Sequence, residues 1–405
     1  MNPTENSCYL ISLDSKGKIR IFFTEYHWSD DNHAYKITRW SGQYGGKQTP
    51  GPELLVERGK ASRSVIEQTI LQWNHLIKEK LDKGYKKVEK NPTECSLEEL
   101  KEIVGDYSTN QDGLLKPMLA KSETQVTNRK IFDKEWYASR KINGIRTLVY
   151  FDGKEIHTAS RGGAINYDFV LDHIIRHPKL VEYFKQYPDL ILDAETFKFG
   201  WTLNRISGVC RTQKTAYDGE PLELYVYDIV DVNKTFKERL QVLNRIQQDL
   251  DLSFEPEREW EEDDLKIQMV PHINVSGWDN MKKLHDDWVS EGWEGVVIRD
   301  PNVVYKPGAR GNQMLKIKNY IDAEYRIIGL TEGLREEDMC FLMETKEGQQ
   351  FNCKPMGDRA QKQWYRANID SLIGKMATIK YFEMSGKEGS MIPQQPVLIS
   401  VRDYE

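Results

Sequence analysis

Cysteine is scarce and scattered. Cys8, Cys95, Cys210, Cys340 and Cys353 lie far apart in 405 residues, and no two form a CxxC pair. Such spacing argues against a disulfide framework and a four-cysteine zinc site, and fits a reducing compartment. Long apolar runs are missing too. None approaches the roughly 20 residues needed to span a bilayer, so no membrane association is expected. The opening MNPTENSCYLISLDSKG lacks the basic-then-apolar order of a secretory signal, and the expectation is a protein that is not secreted. No internal repeat and no low-complexity tract appears, so folded domains are expected throughout, and the length calls for more than one core. Strong charge of either sign is absent as well. A net charge of −6 does not by itself suggest a nucleic-acid partner.

The distribution of charge says more. Residues 1–90 carry 15 Lys and Arg against 11 Asp and Glu, whereas residues 324–405 carry 11 against 13, which leaves the middle of the chain acidic. The basic excess concentrates in KEKLDKGYKKVEK, whose plainest reading is a solvated helix face. The chain divides into 1–90, a polar linker with one short helix at 91–113, a central part at 114–323 and a final part at 324–405. In the first part, strand-like alternation and the glycine-rich RWSGQYGGKQTPGP lead into a helical stretch. There Ile66, Ile70, Trp73, Ile77 and Leu81 predict one apolar face, and Gly84 marks the stop. In the central part WYASRKINGIRTLVYF, LILDAETFKF, KIQMVPHINV, WEGVVIRD and QMLKIKNY read as strands. LELYVYDIV reads as a strand buried on both faces, and Thr235 with Glu238 as a capping box opening a helix. The final part is short strands with glycine turns, which suits a small β-barrel.

One turn stands out. KINGIR places Lys141 between two strands, with Asn143, Gly144 and Arg146 close behind. Lysine is protonated at neutral pH, with a pKa of about 10.4 in water, and attacks phosphorus only after losing that proton. Nearby cations favour the loss, and strands supply Arg146, Arg161 of SRGG, and Lys316 and Lys318 of LKIK. The last two, two residues apart, project from one strand face. Such cations would also neutralise charge on a phosphoryl group in transfer. Glu195 in LDAETF and Glu294 in EGVVIR offer carboxylates for ribose hydroxyls or a divalent metal, and Tyr227 in YVYDIV offers a ring for a purine. Each of these alone has a blander reading: a surface turn, a capping charge, an amphipathic strand, a core aromatic.

Taken in order, the elements resemble those of ATP-dependent DNA ligases, within the covalent nucleotidyltransferase superfamily. LKPMLAKS (115–122) is similar to the opening of their catalytic domain. KINGIR resembles their KxDGxR element, which implies Lys141 as the adenylated nucleophile and Arg146 as a substrate or phosphate contact. SRGG implies Arg161 as a contact to AMP or the 5′-phosphate. LDAETF implies Glu195 on the ribose, and YVYDIV implies Tyr227 stacked on adenine. Arg239 corresponds to an arginine after that strand. EGVVIR implies Glu294 in metal and nucleotide binding, with Glu195 as the second metal carboxylate. LKIK implies Lys316 and Lys318 as catalytic residues that bind the α-phosphate and assist the transfer. Two departures stand against this pattern: Asn143 replaces the usual aspartate, and Gln394 replaces the arginine before Pro396 and Arg402, a role Lys387 could fill.

Residues 1–90 resemble a WGR domain through Trp40, Gly42, Gly45, Gly46 and the helix running into DKGYKK, although the arginine of Trp-Gly-Arg is missing. The resemblance therefore implies an α+β multidomain protein. It would have a WGR-like α+β domain that binds DNA, an adenylation (nucleotidyltransferase) domain with antiparallel sheets, and a C-terminal OB-fold β-barrel. The implied cofactors are ATP and Mg²⁺ or Mn²⁺. The implied partner is nicked duplex DNA, met by a monomer in the cytoplasm, nucleoid or nucleus, in repair, replication or recombination. The competing readings are an RNA ligase or a capping guanylyltransferase with the same lysine chemistry, and a nucleic-acid-binding protein with a degenerate site.

Overall fold

The computed structural model describes residues 6–14, 16–163, 166–211, 219–331, 339–386 and 390–402. It divides into two compact units, 1–317 and 318–405.

The first unit opens with a sheet of β1 (Ser7–Leu13), β2 (Ile19–Ser29), β3 (Ala34–Gln43), β4 (Thr49–Pro50), β5 (Leu54–Val56) and, after helix α1 (Val65–Leu81), β6 (Lys86–Val88). The order is β4-β3-β2-β1-β6, with β5 also on β3. β1 is buried along its whole length. Alternation explains why: Cys8 and Leu10 pack with Trp73 of α1 on one face, while Tyr9, Ile11 and Leu13 face Leu100 and Val104 on the other. Those last two belong to α2 (Leu97–Val104), so the polar stretch after residue 90 supplies a cover for this sheet. Both helices start on Ser-to-Glu capping boxes, at Ser64–Glu67 and Ser96–Glu99.

The buried face of α1 keeps part of the expected stripe, with Trp73 buried and Ile77 and Leu81 packed beside it, but Thr69 is buried while Ile70 is 36% exposed. The basic cluster after α1 is also only partly solvated. Lys80 Nζ lies 4.2 Å over the Phe22 ring, and Lys86 Nζ donates to the Ile103 carbonyl at the end of α2 at 2.7 Å.

The rest of this unit is two sheets with helices against them. In chain order the elements are β7 (Leu119–Ser122), β8 (Trp136–Lys141), β9 (Ile145–Phe151), β10 (Ile156–Ser160), α3 (Asp172–Ile175), α4 (Pro178–Gln186), β11 (Leu192–Phe197), α5 (Leu203–Cys210), β12 (Glu223–Ile229), α6 (Phe236–Asp249), β13 (Ile267–Met269), β14 (Ile273–Val275), α7 (Trp278–Ser290), β15 (Gly295–Arg299) and β16 (Arg310–Lys318). One sheet runs β10-β9-β11-β12-β13 and the other β14-β8-β15-β16-β7. Most pairs are antiparallel, but β12–β13 and β16–β7 are parallel. β12 is buried throughout, as its unbroken apolar run predicts.

KIQMVPHINV, expected as one strand, is two. The chain leaves the first sheet at Met269 and enters the second at Ile273, and Pro271 sits between, where no ladder N–H is available. The Thr235–Glu238 capping box is present on α6. Behind it Arg239, 2% exposed, grips Asp228 of β12 through Nε (2.7 Å) and a second nitrogen (3.1 Å).

The second unit contains β17 (Ile321–Thr331), β18 (Cys340–Glu344), β19 (Gln350–Pro355), α8 (Arg359–Ala367), α9 (Ile369–Leu372), β20 (Met376–Tyr381), β21 (Met384–Ser385), β22 (Ile392–Pro393) and β23 (Val397–Val401). Among the described residues β17-β18-β19-β23-β20 close on one another, β20 returning to β17. Ile327, Phe341, Met343, Phe351, Ile379 and Leu398 fill the interior. Arg402 donates to Glu324 at 2.9 Å. Lys387 lies outside the described residues.

Breaking a buried ion pair strands a charge without solvent, which costs about 3–5 kcal/mol. Arg239→Ala should therefore lower the unfolding free energy of the first unit by about that amount, read by denaturant titration. Asp228→Ala should do the same, and the double variant should recover part of the loss.

Candidate active site

The turn between β8 and β9 carries the chain from one sheet to the other and lies against β11. At Gly144 a side chain would not fit: a Cβ there would lie 2.5 Å from the Thr196 carbonyl oxygen and 2.8 Å from Glu195 Cγ. Glycine lets the turn after Lys141 press onto β11, where Arg146 is paired with Glu195 and Ile145 with Thr196.

A cavity of about 240 Å³ opens over this turn. Lys141, Arg146, Arg161, Glu195, Tyr227 and Lys316 all line it. Glu294 comes to Lys141 from β15: Gly295 is the register partner of Lys141, Glu294 N–H donates to the Lys141 carbonyl, and the Glu294 carboxylate accepts from Lys141 Nζ. Lys318 closes β16 but falls in the second unit, where its Nζ lies 4.0 Å from the centre of the Phe382 ring.

The immediate neighbour of Lys141 is thus a carboxylate, where the expectation was a cation. In this pair Nζ is a donor, so attack on phosphorus requires the pair to open and the proton to leave. The expected cations are present, but one shell further out.

Arg146 also differs from its expected part. Its Nε and one terminal nitrogen hold the two oxygens of buried Asp193, the former at 2.7 Å, and the other terminal nitrogen donates to the Met118 carbonyl at 2.6 Å. Tyr305 completes the knot, donating to Asp193 at 2.8 Å and accepting from Met118 N–H at 3.0 Å. Arg146 therefore ties β9 and β11 to the segment leading into β7.

Glu195 carries an unusual carboxyl. Burial pushes its pKa from the ordinary 4.5 up to about 7, against the pull of Lys141 and Arg146 and of the Tyr227 hydroxyl 3.0 Å away. That hydroxyl bond fixes Tyr227, and its ring meets the guanidinium groups of Arg146 at 5.6 Å and Arg299 at 5.2 Å. Burial and the positive charges of Arg310 and Arg146 lower the pKa of Arg161.

Two cavity residues escaped the sequence reading. Arg310 stands in KPGARGNQMLKIK, six residues before Lys316, where only its place at a glycine-rich entry to a strand could have marked it. Ser139, two residues before Lys141, is buried and accepts a hydrogen bond from Arg299 at 2.9 Å. No grouping of three or more His, Cys, Asp or Glu able to hold a metal occurs among the described residues. The donor set is the two carboxylates of Glu195 and Glu294, which suits an ion that keeps its waters and takes its other ligands from phosphates.

Comparison with known proteins places the arrangement among nucleotidyltransferases of the ligase type. Residues 117–318 match the family described as ATP dependent DNA ligase domain. A DNA ligase of African swine fever virus (isolate Warthog/Namibia/Wart80/1980) is 27% identical over 312 residues, covering 72% of this chain and 69% of the viral protein. A DNA ligase of Archaeoglobus fulgidus is 26% identical over 212 residues, covering 48% of this chain and 33% of its own. Among solved structures, Pmar-Lig_Pre shares the fold with a TM-score of 0.62 at 17% identity, covering 78% of this chain and 73% of its own. A Lig E DNA ligase does so with a TM-score of 0.52 at 18% identity, covering 71% and 98%. The chain belongs to the ATP-dependent DNA ligase family and is a ligase enzyme.

The raised pKa of Glu195 has a measurable consequence. Between pH 4.5 and 7 the folded chain keeps a proton that the unfolded chain has released, so rising pH costs stability through that window. Thermal unfolding should show wild type losing stability relative to Glu195→Gln as pH rises from about 4.5 to about 7, with the difference constant above that.

Proposed function

We propose that this chain seals 5′-phosphate/3′-hydroxyl nicks in duplex DNA through a lysyl-AMP and then a DNA-adenylate intermediate. The observation that carries the reading is the convergence of Lys141, Glu294, Glu195 and the cations Arg161, Arg310 and Lys316 around one cavity. When the Lys141–Glu294 pair opens, the amine bonds to the α-phosphorus of ATP, the bond to pyrophosphate breaks and the amine gives up a proton. AMP then passes to a 5′-phosphate, and a 3′-hydroxyl displaces it. Covalent capture divides one hard transfer into easier ones, and positioning with charge neutralisation does the rest.

Lys316 and Arg161 take the α-phosphate and the 5′-phosphate in this scheme, Glu195 takes the ribose, and the Tyr227 ring takes the adenine. Glu195 and Glu294 would hold Mg²⁺ or Mn²⁺, which when bound supplies neutralisation of phosphate charge. Arg146 keeps the cavity wall in place.

The domain roles follow. Residues 114–323 correspond to the adenylation domain. Residues 324–405 are read as an OB-fold barrel, supported by the strand order first-second-third-fifth-fourth with helices between third and fourth. Residues 1–90 are read as WGR-like and as a grip on the DNA backbone, with α2 of the 91–113 segment packed on them. Lys87 and Lys90 are its exposed cations near β6. No helix among the described residues is long and apolar enough to cross a membrane.

Incubation with Mg²⁺ and ATP labelled at the α-phosphate should leave label on denatured wild type and none on Lys141→Ala. Nicked DNA should discharge the label and yield a sealed strand. Discharge by nicked RNA alone would move the substrate class while keeping the chemistry. No label at all would favour a binding protein with a degenerate site.

Phosphate contacts make binding salt-sensitive, each contributing about 0.9 to the slope of log K against log salt. Lys87→Gln with Lys90→Gln should therefore reduce the slope for nicked-duplex binding by up to about two units, measured by anisotropy across a salt series. An unchanged slope would remove these lysines from the interface.

A further inference from the structure

The turn that carries Arg161 is held from outside the nucleotide cavity. Gly163 N–H donates back to the Ser160 carbonyl at 2.9 Å, and φ of +84° at Gly163 closes a tight turn with Arg161 at its tip. On the outer side Gln111 N–H donates to the Gly162 carbonyl at 3.3 Å. Gly163 has no room for a side chain, because a Cβ there would lie 2.8 Å from Asp112 Oδ2 and 2.9 Å from Asn110 Cγ. Asn110 is itself fixed, its side-chain oxygen accepting the N–H groups of Asp112 and Leu114 at 3.0 Å each. These residues form a small hairpin in which Thr109 bridges to Leu115.

The hairpin sits on the N-terminal sheet domain. Gly84, just past α1 and at φ +79°, is pressed so close that a Cβ would lie 2.2 Å from the Thr109 carbonyl oxygen. Lys116 Nζ donates to the Lys83 carbonyl, and its own backbone N–H donates to Ser108 at 2.9 Å. A Cβ on Gly162 would stand 3.8 Å from the Asp82 carbonyl oxygen, so the Arg161 turn nearly touches the helix end as well. Burial lowers the pKa of Lys116, and the positive charge of Arg161 adds to that.

We infer that the end of α1 sets the position of Arg161, with Lys116 as the positioning residue. Lys116 pins the hairpin to the Lys83 carbonyl, and the hairpin backs Gly162 and Gly163 at the base of the Arg161 turn. The N-terminal domain thereby contributes to the chemistry of a cavity that it does not line. This inference rests on the proposed contact of Arg161 with AMP or the 5′-phosphate.

A double-mutant cycle on the full chain tests it. Lysine adenylylation is followed against ATP concentration, and AMP transfer from preformed enzyme-adenylate to nicked DNA in single turnover. Arg161→Ala should slow at least one step about tenfold or more, as loss of a phosphate-stabilising donor does. Lys116→Ala should slow the same step roughly three- to tenfold at unchanged Tm. The double variant should be no slower than Arg161→Ala alone, and Lys116→Arg should restore most of the rate. With Arg161→Ala impaired, losses that multiply in the double variant overturn the inference alone, as does a Lys116→Ala protein with wild-type rates. An Arg161→Ala protein with wild-type rates overturns the phosphate reading and this inference with it.

Discussion

The cavity exists because two sheets are held together at one buried point. Arg146 leaves β9, clasps Asp193 of β11, and reaches the Met118 carbonyl beside β7 in the other sheet. Tyr305 links the same carboxylate to Met118 N–H. A guanidinium and a carboxylate out of solvent are costly unless every polar atom finds a partner, and this knot supplies them. A hydrophobic contact in its place would pack two surfaces but would not fix the direction of the segment entering β7. The walls that carry Lys141, Glu195 and Lys316 are spaced by this knot, so the geometry of the chemistry depends on a pair that does no chemistry.

A second layer repeats the device. Asp228 at the end of β12 receives Arg239 from α6, and Arg299 of β15 approaches it within 3.7 Å while donating to Ser139. Arginines far apart in sequence thus align strands on buried carboxylates, and two of them, Arg146 and Arg299, line the cavity together with Arg161, Arg310 and Lys316. The cations there crowd one another: the charges of Arg310 and Arg146 add to burial in lowering the pKa of Arg161. Crowded like charge is unfavourable until an anion arrives, which is what a phosphate would provide.

Much of this was legible in the sequence, and the reasons are local. The Thr235–Glu238 box, the buried run of β12 and the order of the six elements from KINGIR to LKIK depend on neighbours along the chain, so spacing reveals them. What spacing does not reveal is which partner a side chain chooses across the fold. Spacing marks Arg146 as a phosphate contact but does not show its grip on Asp193, 47 residues later, because that pairing runs across the fold. Ile70 looked buried because periodicity defines a stripe but not its exact centre: Trp73, Ile77 and Leu81 of that stripe do meet the core, while Thr69 is buried and Ile70 lies at the margin. The strand through Pro271 looked continuous because apolar runs do not announce a change of sheet. The short helix in the polar 91–113 stretch was legible, but not that its Leu100 and Val104 would enter the core of the first sheet, because apolar spacing does not name its partner.

The pairing of Lys141 with Glu294 gives the cavity a resting state. A lone ammonium in a cavity ringed by cations would be poorly placed; a carboxylate 5% exposed beside it neutralises the charge and holds the side chain in one rotamer. Glu195 across the cavity is set by burial, which pushes its carboxyl up to about 7 against the pull of Lys141, Arg146 and the Tyr227 hydroxyl. The two carboxylates differ in contact: Glu294 meets Lys141 directly, and Glu195 meets the Tyr227 hydroxyl. On the proposed reading, the negative charge of an incoming nucleotide would compete with Glu294 for Lys141, so that binding and release of the nucleophile would be a single exchange of partners.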